Sequence, residues 1–308
     1  MKILCFHPGA IGDIIATLPA LDALCRRLPD PRITCLGQLE LMQLLAETKA
    51  IDTPLSLDYP GLHTLFHPKL PPPESLVAFL QGHDLALSWM RGFAGVFPER
   101  LASLGLKTIF HPGPFPPLPG SGPAVRYYAE PLAQLGLELV TEHPRLPLSA
   151  GQKRAWLSGH PELLAAPYVV IHPGSGSPRK NWPAENFAAL AEALGKRFRA
   201  QVVVLQGPAD EEAVAKMVKA AAGFPLLVKA SLSLREAAAL LAGATLAVGN
   251  DSGVSHLAGA VGVPTIAIFV STDPATWGVQ QPRARNLGAG PVQVKDVLRA
   301  ASDLLPGL

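Results

Sequence analysis

"LAVGNDSGVSHLAGAVGVPTIAIF", residues 246–269, sets two apolar runs on either side of a segment that begins Gly249, Asn250, Asp251, Ser252, Gly253. The first run, Thr245–Val248, is short and ends at glycine, as a buried strand does. Residues 252–260 then carry the small and apolar side chains of a packed helix, and Thr265–Phe269 reads as the next strand. A strand, helix and strand in that order join parallel strands through a crossover, which places the region in an α/β domain.

Reading upstream, the alternation continues: helix 233–242, strand Leu226–Val228, helix 209–222, strand Gln201–Leu205, helix 184–198 and strand Tyr168–Ile171. That last strand runs into His172-Pro173-Gly174. The same tripeptide, His7-Pro8-Gly9, follows an apolar strand at Lys2–Phe6 and precedes a helix from about Ile14 to Arg27. "CFHPG" and "VIHPG" therefore open two similar halves. Strands Ile33–Leu36, Asp84–Trp89 and Lys107–Phe110 and a helix over Ala124–Leu135 extend the first half, and the proline-rich passages 67–73 and 111–123 read as loops. We expect two doubly wound, Rossmann-like α/β domains facing each other across a cleft, one over 1–150 and one over 151–290. The joint is expected between about Glu142 and Pro167, where prolines cluster. A final helix, Val292–Leu305 within 291–308, either stays with the second domain or packs back on the first.

The bulk numbers suit this division and narrow the partners. A chain of 308 residues, 48% hydrophobic, exceeds one ordinary core and can fill two. Its 26 Lys and Arg nearly balance 24 Asp and Glu, with no long run of like charge, so no nucleic-acid footprint is present and a small-molecule partner is expected. Cys5, Cys25 and Cys35 have neither CxxC nor metal-finger spacing and read as reduced residues of a cytoplasmic protein. The N-terminal stretch imitates a signal peptide, but His7, Pro8, Gly9 and Asp13 interrupt its apolar region, so it is expected to remain in the mature chain. No uninterrupted apolar run has the length of a membrane span.

Ligands of open parallel sheets bind beyond the carboxyl ends of the strands, and three unusual loops occupy such ends. In loop 249–256, two glycines permit close approach, and the following helix points its N–H groups and positive dipole end outward, as a phosphate or diphosphate requires. Helix capping by Asn250, Asp251 or Ser252 is the plainer reading. His256, one turn into the helix, is a packed residue or a neighbour of the phosphate. Loop 172–182 adds Gly174, Ser175, Gly176 and Ser177 and then Arg179 and Lys180, amides, hydroxyls and cations that suit an anion; a solvated basic turn is its alternative. It lacks the P-loop spacing. Loop 7–13 sets Asp13 at a helix start, where it either complements the dipole or acts as a general base. In "LQGPADEEA", Asp210, Glu211 and Glu212 occupy a helix's first turn, ordinary for acids but also the place from which a carboxylate reaches ribose.

Taken together, "GAIGDIIATLPAL", "HPGSGSPRKNWPAENFAALAEAL", "QGPADEEA" and "LAVGNDSGVSHLAGAVGVPTIAIFVSTDP" resemble the heptosyltransferase family of lipopolysaccharide synthesis, ADP-heptose-using glycosyltransferases of family 9 and GT-B fold. The resemblance covers the first thirty residues and nearly all of the second half. It implies an acceptor-binding first domain and a donor-binding second one. Asp13 would be the general base and Lys180 the cation on the donor phosphates. Glu211 would hold the ribose, and Asp251, Ser252, Gly253 and His256 would cradle the diphosphate. Ser175, Ser271, Thr272 and Asp273 would line the donor pocket, with Gly12 and Arg126 toward the acceptor. Val270-Ser271 stands where the family commonly has Gly-Pro.

The expected chemistry is inverting transfer of a sugar from a nucleotide diphosphate, ADP-heptose by resemblance, to a hydroxyl of a glycan or glycolipid. No cofactor, no metal and no obligate protein partner are expected. The location is expected to be cytoplasmic, with peripheral contact at the inner membrane face. Two alternatives stand beside it: a nucleotide-sugar epimerase of the same fold, and a non-catalytic two-lobed binder of a phosphorylated ligand. A dehydrogenase is disfavoured because no GxGxxG follows either opening strand.

Overall fold

The computed structural model of the chain describes residues 1–90, 95–110 and 122–306, apart from the side chain of Phe110. Most of the proline-rich passage 111–123, read as a loop from the sequence, lies outside the described residues. The chain divides into two compact units, Met1–Glu142 and His143–Leu308. The division falls ahead of the Ala150 boundary expected from the sequence, because the segment that follows, including helix Ala150–Ser158, belongs to the second unit.

The first unit is a five-stranded parallel sheet of β1 (Lys2–Phe6), β2 (Arg32–Gly37), β3 (Thr53–Ser56), β4 (Leu85–Ser88) and β5 (Thr108–Phe110), in the order β3-β2-β1-β4-β5. After β1 the chain builds outward through β2 and β3, then crosses to the other side of β1 for β4. That reversal leaves a crevice beyond the ends of β1 and β4, where β1 runs into His7 and β4 into Trp89. Helix Ile11–Arg27 begins three residues earlier than the apolar pattern suggests, so Gly12 and Asp13 lie in its first turn rather than before it. The stretch expected as one helix over 124–135 is broken into Ala124–Tyr128 and Glu130–Ala133, with Pro131 unable to continue the hydrogen-bond ladder. Strand β3 was not expected: Pro54 and its half-exposed neighbours give no alternation, and its place at the sheet edge tolerates the proline.

The second unit is a six-stranded parallel sheet of β6 (Tyr168–His172), β7 (Gln201–Gln206), β8 (Leu227–Ala230), β9 (Leu246–Asn250), β10 (Thr265–Ile268) and β11 (Ala284–Leu287), ordered β11-β10-β9-β6-β7-β8. Its central strands are apolar on both faces because helices cover both. Val169, Ile171, Val202, Val204, Leu246, Val248, Ile266 and Ile268 point to one face and meet Phe187, Leu190 and Leu194 of helix Ala184–Phe198. The final helix, Val294–Leu304, joins that same core through Val297, Ala300, Ala301 and Leu304. Of the two placements open from the sequence, it therefore takes the one with the second unit. The order in which strands are added reverses again here, β7 and β8 lying on one side of β6 and β9 on the other, and the parallel register of β6 and β9 pairs His172 with Gly249 at the strand ends.

Leu304 is 7% exposed at the edge of this core. Leu304→Ala is expected to cost about 2–3 kcal/mol through lost burial and a residual cavity. The loss should appear in urea melts as an earlier unfolding transition of the second unit.

Candidate active site

In the second unit the site begins with an asparagine. Asn250, the last residue of β9, is fully buried, and its amide uses both of its hydrogen-bonding ends. Nδ2 donates to the carbonyl oxygens of Pro173 at 2.8 Å and Gly174 at 3.2 Å, while Oδ1 accepts the backbone N–H of Trp182 at 2.8 Å. Both ends of the loop after β6 are thereby tied to the end of β9. An aspartate here has no donor for the carbonyls, and a leucine has neither half.

Within this loop Ser175 Oγ lies 2.6 Å from Asn181 Oδ1 and 2.7 Å from the carbonyl oxygen of Ser177, bracing the turn from inside. The turn closes with a single 3-10 stretch, Pro178–Lys180, which delivers Lys180 to Asp251. Lys180 Nζ donates to Asp251 Oδ2 at 2.7 Å, and Thr272 Oγ1, arriving from the loop after β10, donates to the same oxygen at 2.7 Å. Asp251 is buried, whereas the Lys180 side chain remains 35% exposed, so the carboxylate is enclosed and the cation still faces solvent. An acceptor-only carboxylate that already holds an ammonium and a hydroxyl is suited to placing those donors beside an anion.

Ser252 takes the capping role: its Oγ accepts Ser255 N–H at the start of helix Gly253–Ala260. The plain capping reading thus accounts for Ser252 alone. Asn250 and Asp251 are committed elsewhere, and the first-turn N–H groups of Gly253 and Val254 have no partner within the helix. His256 is half-buried one turn in. Asp273 caps the short helix Pro274–Trp277, accepting from Thr276 Oγ1 at 2.7 Å and Ala275 N–H at 3.0 Å. The Thr276 hydroxyl, followed by the backbone N–H groups, holds its carboxyl below the usual carboxylate range.

A second buried pair went unread in the sequence. His172 Nε2 lies 2.8 Å from Asp210 Oδ2, which also accepts Gly207 N–H at 2.8 Å. His172 Nδ1 lies 3.4 Å from Ser252 Oγ. Burial pushes the Asp210 carboxyl up, but the His172 hydrogen bond and charge and the Gly207 N–H together hold it below the ordinary value. The signal was present in His172-Pro173-Gly174 and in Asp210, yet 38 residues separate the partners and nothing local joins them. Gly174 makes the approach possible: a Cβ there would stand 1.8 Å from Asp210 Oδ1.

Two open grooves flank this network and share Trp182 and Pro183. One, of about 830 Å³, is lined by Asn186, Ser271, Thr272 and Asp273 together with apolar residues such as Phe269 and Val292. The other, of about 460 Å³, is lined by Ser175, Gly176, Asn181, Glu185, Glu212 and Lys216. Glu212, paired with Lys216 at 2.7 Å, lines that groove. Glu211, the residue chosen from the sequence, is exposed beside it in the helix's first turn and is not among the lining residues. Of the two adjacent acids, the one that lines Ser175's groove is thus one position further along.

In the first unit, Asp13 accepts Ala10 N–H on Oδ2 at 3.1 Å and the Tyr128 hydroxyl on Oδ1 at 2.8 Å. Gly12 is half-buried next to it. Arg126 is exposed and forms an ion pair with Glu142 at 2.7 Å, within the same unit. Among the described residues no group of three or more His, Cys, Asp or Glu side chains is arranged to hold a metal ion, and no helix is long and apolar enough to cross a membrane.

Comparison with known proteins gives this geometry a class. The chain superimposes on the structure of an E. coli ADP-heptose lps heptosyltransferase II with a TM-score of 0.79 at 22% identity, covering 99% of each chain. It superimposes on E. coli heptosyltransferase WaaC with ADP at 0.74 and 19%, covering 99% of this chain and all of that one. In sequence it is 25% identical over 311 residues to lipopolysaccharide heptosyltransferase 1 of Pseudomonas aeruginosa, covering 94% of this chain and 84% of that protein. The architecture is GT-B, and the molecule is a glycosyltransferase. The family model described as glycosyltransferase family 9 (heptosyltransferase) matches residues 119–303, and the chain belongs to that family. The epimerase and the non-catalytic binder considered from the sequence are not favoured by these findings.

The Asp210 pair makes acid stability testable. Its carboxyl is held low in the folded state, so its contribution is complete above the ordinary carboxylate pKa of ~3.9 and is lost as pH falls below it. Melting temperature should drop more steeply below about pH 4 in the wild type than in Asp210→Asn. Parallel curves would remove Asp210 from the acid response. Asp210→Ala, which takes away a buried partner of His172, should cost about 1–3 kcal/mol at neutral pH.

Proposed function

We propose that the protein transfers a heptose from ADP-heptose to a hydroxyl of a lipopolysaccharide-type acceptor, or of another cell-surface glycan, with inversion at the anomeric carbon. The observation that carries the reading is the Lys180–Asp251–Thr272 cluster beside the first turn of helix Gly253–Ala260. It combines an oriented, half-exposed cation, a hydroxyl and helix N–H groups at the point where the sheet reverses, the set that an anionic diphosphate requires. The donor and acceptor classes come from the relatives, two of which are described by ADP-heptose, lipopolysaccharide or both.

In this reading Asp13 accepts the proton of the acceptor hydroxyl as its oxygen forms the new bond to the anomeric carbon. The bond from that carbon to the diphosphate breaks on the opposite face, and its electron pair leaves with ADP. Charge grows on the departing diphosphate, where Lys180 and the helix N-terminus are assigned to meet it. Ser252, Gly253, His256, Thr272 and Ser175 complete the assigned donor site. The ribose carboxylate is assigned to the Glu211–Glu212 pair, and Gly12 and Arg126 to the acceptor side. Asp273 keeps its place at the rim of the larger groove. The reading assigns no cofactor and no metal. It carries a cytoplasmic location, peripheral contact with the inner membrane face for a lipid-linked acceptor, and no obligate protein partner.

Calorimetric titration with ADP, UDP and GDP tests the donor half. ADP should bind selectively, and Lys180→Ala should weaken it by about 10-fold or more, the size of a hydrogen bond to a charged group. Equal affinity in the variant would exclude Lys180 from the diphosphate. Asp13→Asn should lower turnover at least ~100-fold while ADP affinity stays within about twofold. Unchanged turnover would exclude Asp13 as the base.

A further inference from the structure

We propose that Tyr128 is the positioning residue of the general base, fixing the Asp13 carboxylate in the orientation from which it receives the acceptor's proton. The inference rests on the reading of Asp13 given above. Asp13 lies in the first turn of helix Ile11–Arg27, and its Oδ2 accepts Ala10 N–H, the ordinary contact of an acid at a helix start. Helix capping alone accounts for that bond. It leaves the carboxylate free to turn about its Cβ–Cγ bond, and Oδ1 is what stops it: the Tyr128 hydroxyl donates to Oδ1 at 2.8 Å, from 115 residues further along the chain. With a donor on each oxygen, the carboxylate plane is set, and each oxygen keeps one lone-pair site for a further donor.

Tyr128 is itself held. It is 3% exposed, and its backbone carbonyl accepts the indole N–H of Trp89 at 3.0 Å. The Trp89 ring stacks on His7, with centroids 5.3 Å apart and planes 25° from parallel. His7 returns to the backbone of the acid through Thr17. Its Nε2 lies 2.8 Å from Thr17 Oγ1, which donates to the backbone carbonyl of Asp13 at 2.9 Å, and its Nδ1 accepts Gly9 N–H at 3.2 Å. Tyr128, Trp89, His7 and Thr17 thus close a ring that passes through Asp13, its carboxylate on one side and its backbone carbonyl on the other, drawing on the ends of β1 and β4 and two helices. A Cβ on Gly9 would stand 2.8 Å from the Asp13 Cβ and 2.7 Å from the His7 ring, so no side chain fits inside this ring at that point. Burial, then the Asp13 charge and hydrogen bond, raise the Tyr128 phenol far above its usual value, so the group stays protonated and serves as a donor throughout the working pH range.

A residue that only packs would act on stability. A residue that orients the base acts on the chemical step. Tyr128→Phe keeps the ring and removes the donor, and it is expected to lower kcat by about 10- to 100-fold, as misplacement of a catalytic group does, with the donor KM and the ADP dissociation constant within about twofold of wild type. The double variant Asp13→Asn/Tyr128→Phe should be no slower than Asp13→Asn within about twofold, because Tyr128 acts through Asp13. Trp89→Phe, which removes the indole donor to the Tyr128 carbonyl but keeps the hydroxyl, should show a smaller loss in kcat with the same unaltered KM. It provides the same readout should Tyr128→Phe fold poorly in a thermal melt. Wild-type kcat in Tyr128→Phe overturns the proposal. So do losses that multiply in the double variant, or a rise in donor KM that accounts for the whole effect. If Asp13→Asn alone retains wild-type turnover, the base assignment fails first, and that single variant identifies which of the two readings has failed.

Discussion

The buried amide of Asn250 fixes the geometry on which the second unit's site depends. Parallel strands β6 and β9 lie side by side, but the loops that leave them run to different helices, and nothing in the sheet itself ties those loops together. One side chain with two donors and an acceptor does so, at 2.8 Å to Pro173 and 2.8 Å from Trp182. Once both ends of loop 173–182 are anchored, Lys180 has a short path to Asp251, and the ion pair forms against a carboxylate that is already desolvated. A flexible lysine loses considerable rotamer entropy on ordering, and an anchored turn lowers that cost by bringing Lys180 close to Asp251.

The two units solve the same problem with different parts. Each ends its first strand in His-Pro-Gly, buries that histidine, and lets a glycine admit a close neighbour: Gly9 beside His7, Gly174 beside Asp210. In the first unit His7 stacks on Trp89 and bonds Thr17, supporting a carboxylate that is held outward. In the second, His172 bonds a buried carboxylate and supports a loop rich in donors. One unit presents a carboxylate, the other a half-exposed lysine beside a helix N-terminus. The repeated tripeptide supplies the scaffold, and the residues around it supply the sign of the charge.

Much of this architecture is legible in the residues. Strands buried on both faces, such as Tyr168–His172 and Gln201–Gln206, are continuous apolar runs with helical patterns between them, and those signals are local. Edge strands Thr53–Ser56 and Ala284–Leu287 escape notice because one contains proline and the other alternates only weakly, with charge at Arg285. Among the candidate functional residues of the two units, Asp13, Lys180 and Asp251 stand out through their loops. Tyr128, His172 and Asn250 do not, since what distinguishes them is a partner 115, 38 or 77 residues away. Glu212 differs from Glu211 only in which way a helical position faces, and two adjacent acids give no means of choosing. Sequence pattern reports burial and turns well; it reports long-range polar pairing poorly, because a hydrogen bond has no periodicity.

The absent side chain at Gly174 also bears on how such a sequence can drift. Every codon change that replaces glycine introduces a Cβ, and here that carbon would meet Asp210 Oδ1 at 1.8 Å, inside the atoms themselves. Asp210 cannot retreat without releasing His172 and Gly207. Compensation would need simultaneous changes on two loops after two different strands. The position is therefore closed to stepwise substitution, whereas the exposed side chain of Val270 on the neighbouring loop meets no such barrier.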